Sequence, residues 1–356
     1  MMERNGTPRL KAFGLMVILL LVQMFAAPTA DAAKYAGAFM DDGGGARALA
    51  MGGAFTPVAT DPSAAYWNPA GLSLLTSRQV MLMHSERFGD LIDRDYVSYV
   101  QPVSWSLLGG SRAGIGVSLI RLGIDDIPFT DHLFDQLDTD GDGIVSRTET
   151  FGLFELQDQI RFVSDAEYAL FLSYGERLGS WHVGGSFKMI NQSVGQYSSW
   201  GIGVDLGFLR QGVWKNLDFG VKLQDITTTP LSWNTDDGTV ESIAPAVIPG
   251  MAYRMPLPQW DMSILIASSF ETRFENRGEA DQYSSGSMST NVHVGGEVGF
   301  SDRVFLRGGF DSDWGTQAIT AGVGFRLPGL VIDYAYAGDT LGIDEVTHRI
   351  SLTAGF

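Results

Sequence analysis

The sequence predicts an all-β fold, a 14-stranded antiparallel transmembrane β-barrel with a small N-terminal helical plug in its lumen. Three observations lead there. From residue 79 onward, segments of about ten residues alternate apolar with small or polar side chains, the period of strands with two unlike faces. Their connections segregate by length, with short turns at one end of the strands and long loops at the other, as outer-membrane barrels require. After the N-terminal leader no apolar run approaches the roughly 20 residues of a spanning helix, so a membrane crossing needs a closed barrel.

The leader comes first. Arg4, Arg9 and Lys11 precede an apolar run from Phe13 to Ala27, and Pro28 leads into the small-residue site Ala30-Asp31-Ala32. This is the pattern of a secretory signal peptide over residues 1–32, which places the mature chain beyond the inner membrane. The formal charge of −17 would repel phosphate backbones, so nucleic acid is not an expected partner. The absence of cysteine removes disulfides, thiolate metal sites and Cys nucleophiles together.

Residues 33–78 differ in kind from the alternating segments of the barrel. They are rich in Gly and Ala, and carry helix starts at Asp61-Pro62 and Asn68-Pro69. A dinucleotide-binding reading of Gly43, Gly45 and Ala48 fails because no strand precedes them. The segment reads as a plug, and glycines on the inward strand positions (Gly114, Gly116, Gly203, Gly207, Gly322, Gly324) would leave room for it.

The barrel, 79–356, contains fourteen alternating segments, near 79–88, 94–102, 112–121, 166–175, 180–191, 200–210, 216–224, 248–256, 260–271, 288–300, 303–310, 317–326, 329–337 and 347–356. Ile202, Val204, Leu206 and Phe208, or Ile319, Ala321, Val323 and Phe325, would face lipid while their neighbours face the lumen. Short turns such as GERLGS, RQGVWK, PLPQ, SDR and LPG fall on the periplasmic side. Trp181, Trp200, Trp214 and Trp260 lie near strand ends, where an interfacial girdle needs them, although a β-sandwich would bury them as core. The last strand ends in full alternation on Phe356, which resembles the C-terminal signal read by outer-membrane insertion machinery.

Two sets of charges stand out. Lys188, Asp205, Asp218 and Lys222 fall on inward positions of neighbouring strands, where they would form a salt-bridge network or offer Lys188 or Lys222 to an acyl carboxylate. In the 122–165 loop, expected to be extracellular, DTDGDGIVSRTE fits D-x-D-x-D-G-x5-E without a mismatch. Asp138, Asp140 and Asp142 would converge on a Ca²⁺ ion, Gly143 would permit the sharp turn, and Ile144 would offer its carbonyl. Ser146 would hold a bridging water and Glu149 would close the site; the alternative is an acidic turn that mimics it. A structural Ca²⁺ clamp is expected rather than a switch. No enzyme motif occurs. The five histidines have no metal-ligand spacing, and only inward-facing His182 would merit attention as a catalytic group.

The run GARALAMGGAFTPVATDPSAAYWNPAGLSLL, residues 45–75, closely resembles the N-terminal signature of the long-chain fatty-acid transporter (FadL) superfamily, particularly its PorV/PorQ branch. The resemblance implies a fourteen-stranded bacterial outer-membrane barrel with a hatch in the lumen, which gates passage of hydrophobic compounds such as long-chain fatty acids or hydrocarbons. Asn68, Pro69, Ala70 and Gly71 would form the hatch element, with Phe55, Tyr66 and Trp67 lining a pocket or seating the plug. PorV-type members instead act as non-transporting partners of secreted proteins in type IX secretion, which is the alternative function. Outer-membrane lipid is the expected surrounding in either case.

Overall fold

A computed structural model describes residues 36–87, 91–311, 318–338 and 346–356; the expected signal peptide lies outside them. Seventeen strands form one antiparallel sheet. In chain order they are β1 (Gln79–Arg87), β2 (Ile92–Val103), β3 (Ala113–Phe129), β4 (Arg161–Leu178), β5 (Trp181–Val194), β6 (Tyr197–Trp214), β7 (Leu217–Gln224), β8 (Thr229–Trp233), β9 (Val240–Ile243), β10 (Ala246–Leu257), β11 (Met262–Arg273), β12 (Tyr283–Ser285), β13 (Met288–Phe300), β14 (Val304–Asp311), β15 (Ala318–Leu327), β16 (Leu330–Ala337) and β17 (Thr347–Gly355). Three of these, β8, β9 and β12, are short pieces within long connections. The other fourteen form the wall, and it closes where β1 pairs with β17, from Gln79↔Gly355 to Glu86↔His348. Closure gives each wall strand a paired neighbour on both sides.

The faces follow the alternation. On β6, Gly201, Gly203, Asp205 and Gly207 are buried in the lumen, while Ile202 on the outward face is 58 % exposed. On β15, Ile319 points outward at 72 % exposure and Thr320 is buried. Trp181, Trp200, Trp214 and Trp260 are all exposed near strand ends, as a girdle requires. Among the described residues no helix is long and apolar enough to cross a membrane.

The three longest connections leave one end of the barrel, after β3, β7 and β11, and connections of nine residues follow β16 at that end and β2 at the other. Strands β3 and β4 run further than their alternation indicated, pairing out to Phe129↔Arg161 past an irregularity between Ile124 and Ile127. The loop itself therefore spans 130–160. The wall is also irregular above β7, where the chain leaves the ladder at Asp225 (φ 51°) and Thr228 (φ 53°). There β6 takes β8 as its partner instead, and Ile226 N bridges the step by donating to Val204 O at 3.0 Å.

The segment before β1 fills the lumen from the long-loop end to the short-turn end. It contains two short helices, α1 (Ala46–Ala50) and α2 (Ala64–Trp67), and 3-10 turns at Ala38–Met40 and Pro69–Leu74. Helices longer than a turn cannot form across its glycines and prolines. The whole stretch Phe55–Ala59 and most of Ala64–Ser73 is buried.

Candidate functional site: the hatch and its anchors

The lower hatch rests on backbone. Side chains at Gly175 and Gly184 would run into the Pro69 carbonyl, at Gly114 into Leu72 O, and at Gly207 into Asn68 and the Ala70 amide. These inward glycines of β3 to β6 form one smooth bed under residues 68–73. A second bed faces Ala50–Gly52 across the lumen, where Gly295, Gly309 and Gly322 would each strike the hatch if given a Cβ. Of the glycines anticipated from parity, Gly114, Gly116, Gly207 and Gly322 meet the hatch. Gly203 instead makes room for Thr229 and Lys188, and Gly324 for Asp333 and Arg307. Gly175, Gly184, Gly295 and Gly309 lie outside the anticipated set, although their inward parity could have found them.

Asn68 holds the turn. Fully buried, it accepts from Ala70 N at 3.2 Å, and its amide donates to Thr56 O (3.0 Å) and Phe208 O (3.1 Å). One side chain thus caps the Pro69 turn, ties it to the preceding hatch turn at Thr56 and fastens both to β6. Ala70 and Gly71 follow inside that turn, both buried. Ser73 Oγ lies 2.7 Å from His182 Nδ1, which makes His182 a hatch anchor.

Phe55, Tyr66 and Trp67 pack together, Tyr66 and Trp67 edge to face at 5.0 Å and Phe55 and Trp67 at 6.1 Å. The polar ends of the last two are taken by the hatch itself: Tyr66 Oη donates to Met40 O (2.7 Å) and Trp67 Nε1 to Gly44 O (2.7 Å). Burial, with Asp41 and Glu271 close by, pushes the Tyr66 hydroxyl well above its ordinary pKa and keeps it a donor. Gly43 (φ 64°) passes so near both rings that a side chain there would overlap them. These aromatics pack on one another and on the backbone of residues 40–44. Between Tyr66, Trp67 and the wall residues Lys222, Glu271 and His293 a cavity of about 10 Å³ remains, room for one water at most.

The lumen charges sort into separate groups. Lys188 lies between Asp205 (2.9 Å) and Asp225 (2.7 Å), each side chain no more than 1 % exposed. Lys222 is 4.0 Å from Asp205, donates to Gln224 Oε1 at 2.7 Å and sits 4.3 Å above the Tyr66 ring. Asp218 does not join them: it pairs with Arg254 at 2.6 Å and accepts from Gly212 N at the short-turn end. Asp225 lies in the irregular step after β7, and Arg254 faces Asp218 only through the β7–β10 register, so neither partner was visible in the strand pattern.

Two ion-pair layers bind the hatch to the wall. In the lower one, Arg47 grips Glu297 with two bonds (2.8 and 2.9 Å), and Arg307 joins Glu297 to Asp333 at 2.7 Å each. In the upper one, at the long-loop end, Asp41 meets Arg273 (2.6 Å) and Arg277 (3.2 Å), while Asp42 meets Arg87 (2.7 Å). Burial alone would raise the Asp42 carboxyl, but Arg87, Arg94 and Arg349 outweigh it and hold the pKa well below the carboxylate range.

The 130–160 loop carries the acidic motif in a folded form. Carboxylate oxygens of Asp138, Asp140 and Glu149 lie within 4.8 Å of one another. Gly143 adopts φ 82°, and Asp138 accepts from Gly141, Asp142 and Gly143 amides at 2.9–3.1 Å. Asp142 turns away to accept from Ile144 N. Hydrogen bonds from Thr139 and Ser146 hold the Glu149 pKa at about 2.

No family model and no curated protein matches the chain. Among solved structures it is similar to the toluene transporter TodX of Pseudomonas putida (13 % identity over 88 % of this chain and 97 % of that one, TM-score 0.51). It is also similar to a deltaS2 mutant of the TodX monoaromatic hydrocarbon channel (12 %, 88 % and 99 %, 0.54), and to a FadL homologue of Pseudomonas aeruginosa (12 %, 85 % and 95 %, 0.47). At these identities the likeness is one of fold. A closed barrel of this kind with an apolar outward belt is an outer-membrane architecture. This chain is therefore an outer-membrane barrel of fourteen strands with the fold of the TodX channel and its own N-terminal segment seated in the lumen.

Proposed function

We propose that the protein passes hydrophobic compounds, hydrocarbons or fatty acids, across the outer membrane in the manner of the FadL superfamily, with residues 36–76 as the gate. The observation that carries this reading is the hatch: it fills the lumen of a barrel with a hydrocarbon channel's fold, yet it is held by close packing, hydrogen bonds and ion pairs. Such a plug can move without breaking the wall. The long-loop end is then the extracellular one, as the loop asymmetry requires.

The chain has no cysteine, so a reducible cross-link between introduced cysteines is clean. The Asp42 and Arg87 side chains meet at 2.7 Å between hatch and wall. The Asp42→Cys/Arg87→Cys pair, joined by a short bifunctional thiosulfonate reagent, should block toluene and oleate uptake when linked and restore it on reduction, in a host without its own channel for these compounds. Equal uptake in both redox states overturns the gate.

We propose further that the 130–160 loop binds one Ca²⁺ through Asp138, Asp140 and Glu149, with Asp142, the Ile144 carbonyl and a Ser146-held water completing the set. The hard oxygen donors and the tight Gly143 turn fit this ion. Chelation should speed proteolysis within 130–160 and leave barrel melting unchanged; cleavage insensitive to chelator refutes the site.

A further inference from the structure

The upper hatch layer contains more positive charge than it uses. On the inward face Arg94 of β2 and Arg349 of β17 both pair in register with Ser85 of β1, so they flank it at one height. Arg87, two residues further along β1, lies on the same face. Arg94 is 1 % exposed and Arg349 5 %. Among the described residues, Asp42 of the hatch is the sole carboxylate in ion-pair contact with any of the three, and it touches Arg87 only.

The remaining donors are poorly used. Arg94 reaches two hatch carbonyls, Phe39 O through Nε at 3.4 Å and Gly43 O through Nη2, while its Nη1 has no partner. Arg349 Nε and Arg87 Nε are likewise buried and unbonded. A buried guanidinium with unsatisfied N–H groups is costly, and the fork geometry of arginine matches oxygen pairs of carboxylate or phosphate. The site is also reachable, because the Arg87 and Asp42 side chains are each 23 % exposed. Two residues before Ser85 on the same face of β1, Met83 is buried in the apolar core.

We infer that Arg87, Arg94 and Arg349 form a binding site for an oxyanion, a carboxylate or phosphate group, which enters at the long-loop end and competes with Asp42 for Arg87. This site stands apart from the transport reading, since an oxyanion can bind there whether or not a cargo passes. An incoming anion would leave the Ala36–Gly44 segment with Asp41 as its remaining charged tie to the wall.

The test is calorimetric titration of the full-length barrel in non-ionic detergent with acetate, inorganic phosphate, dodecyl phosphate and neutral dodecanol. Acetate or phosphate should bind and dodecanol should not. Tighter binding of dodecyl phosphate than of phosphate identifies an amphiphile as the source, and equal binding identifies the free ion; either supports the site. Two variants give opposite signs. Arg349→Gln should weaken binding about tenfold or more, whereas Asp42→Asn, which removes the competitor, should strengthen it by a similar factor. A loss of folding would weaken both, so heat-modified electrophoretic mobility is followed in parallel. Absence of anion binding in folded Asp42→Asn protein, or equal affinities in folded Arg349→Gln and the parent, overturns the site.

Discussion

The two ends of the hatch are held by opposite means. Residues 68–73 lie on a bed of wall glycines, fully enclosed, with Asn68 as their main polar fastening. Residues 36–44 hang at the other end from the buried pairs of Asp41 and from the Asp42–Arg87 pair, whose side chains are within reach of solvent. Close packing of backbone on backbone resists any displacement, because a shift of a few tenths of an ångström already creates overlap or void. An ion pair near water can be exchanged for another ion at small cost. The lower end is thus a seat and the upper end a releasable tie.

Breaking the seat should have the largest effect. Gly184→Val places a branched side chain against the Pro69 carbonyl and Ala70 amide and should cost about 3 kcal/mol or prevent hatch insertion. Thermal unfolding of the detergent-purified variant measures it, and a change under about 0.5 kcal/mol would show that the bed is not needed. Asn68→Ala comes next. It leaves Thr56 O, Phe208 O and Ala70 N without their partner, at a cost of about 2 kcal/mol, visible as faster amide exchange across 56–72 with the wall strands unchanged. If exchange rises equally along 36–44, the two ends are one unit and the distinction fails.

The tie is expected to respond more weakly. Asp42→Asn should raise exchange in 36–44 about tenfold, equivalent to about 1.4 kcal/mol, and leave 68–75 unaffected. The smallest effect sharpens the comparison by its sign. Asp42 has a depressed pKa in the folded protein, so its contribution is complete above the unfolded value near 3.9 and is lost only as pH falls through the lower folded value. The Asp42 carboxyl resonance should therefore show no titration from pH 7 to pH 5; protonation in that interval would show that the arginines do not hold it.

The wall was legible because period-2 alternation is a strong signal over ten residues, and each of the fourteen segments overlaps a wall strand. Pieces as short as β12, three residues long, leave no such trace. The upper parts of β3 and β4 lack the apolar alternation that lipid imposes, as Asp125, Asp126 and Asp165 show, so the ribbon they form reads as loop in the sequence. The site was legible where it depends on one segment, as with Asn68 and Pro69. It was not where it depends on register: Asp218 finds Arg254 and Lys188 finds Asp225 across pairings that no single segment encodes. The same holds for Arg94 and Arg349, 255 positions apart and brought level by Ser85.

That last pairing bears on how the molecule is built. The three arginines sit on β17, β1 and β2, the strands that straddle the closing seam of the ring. Before the last strand docks on the first, Arg349 has no neighbours there, and the cluster does not exist. Residues 36–44 therefore meet their full complement of charge only when the last wall strand has arrived. Assembly of the cluster is a local chemical record that the cylinder is complete, written where the first and last wall strands come together.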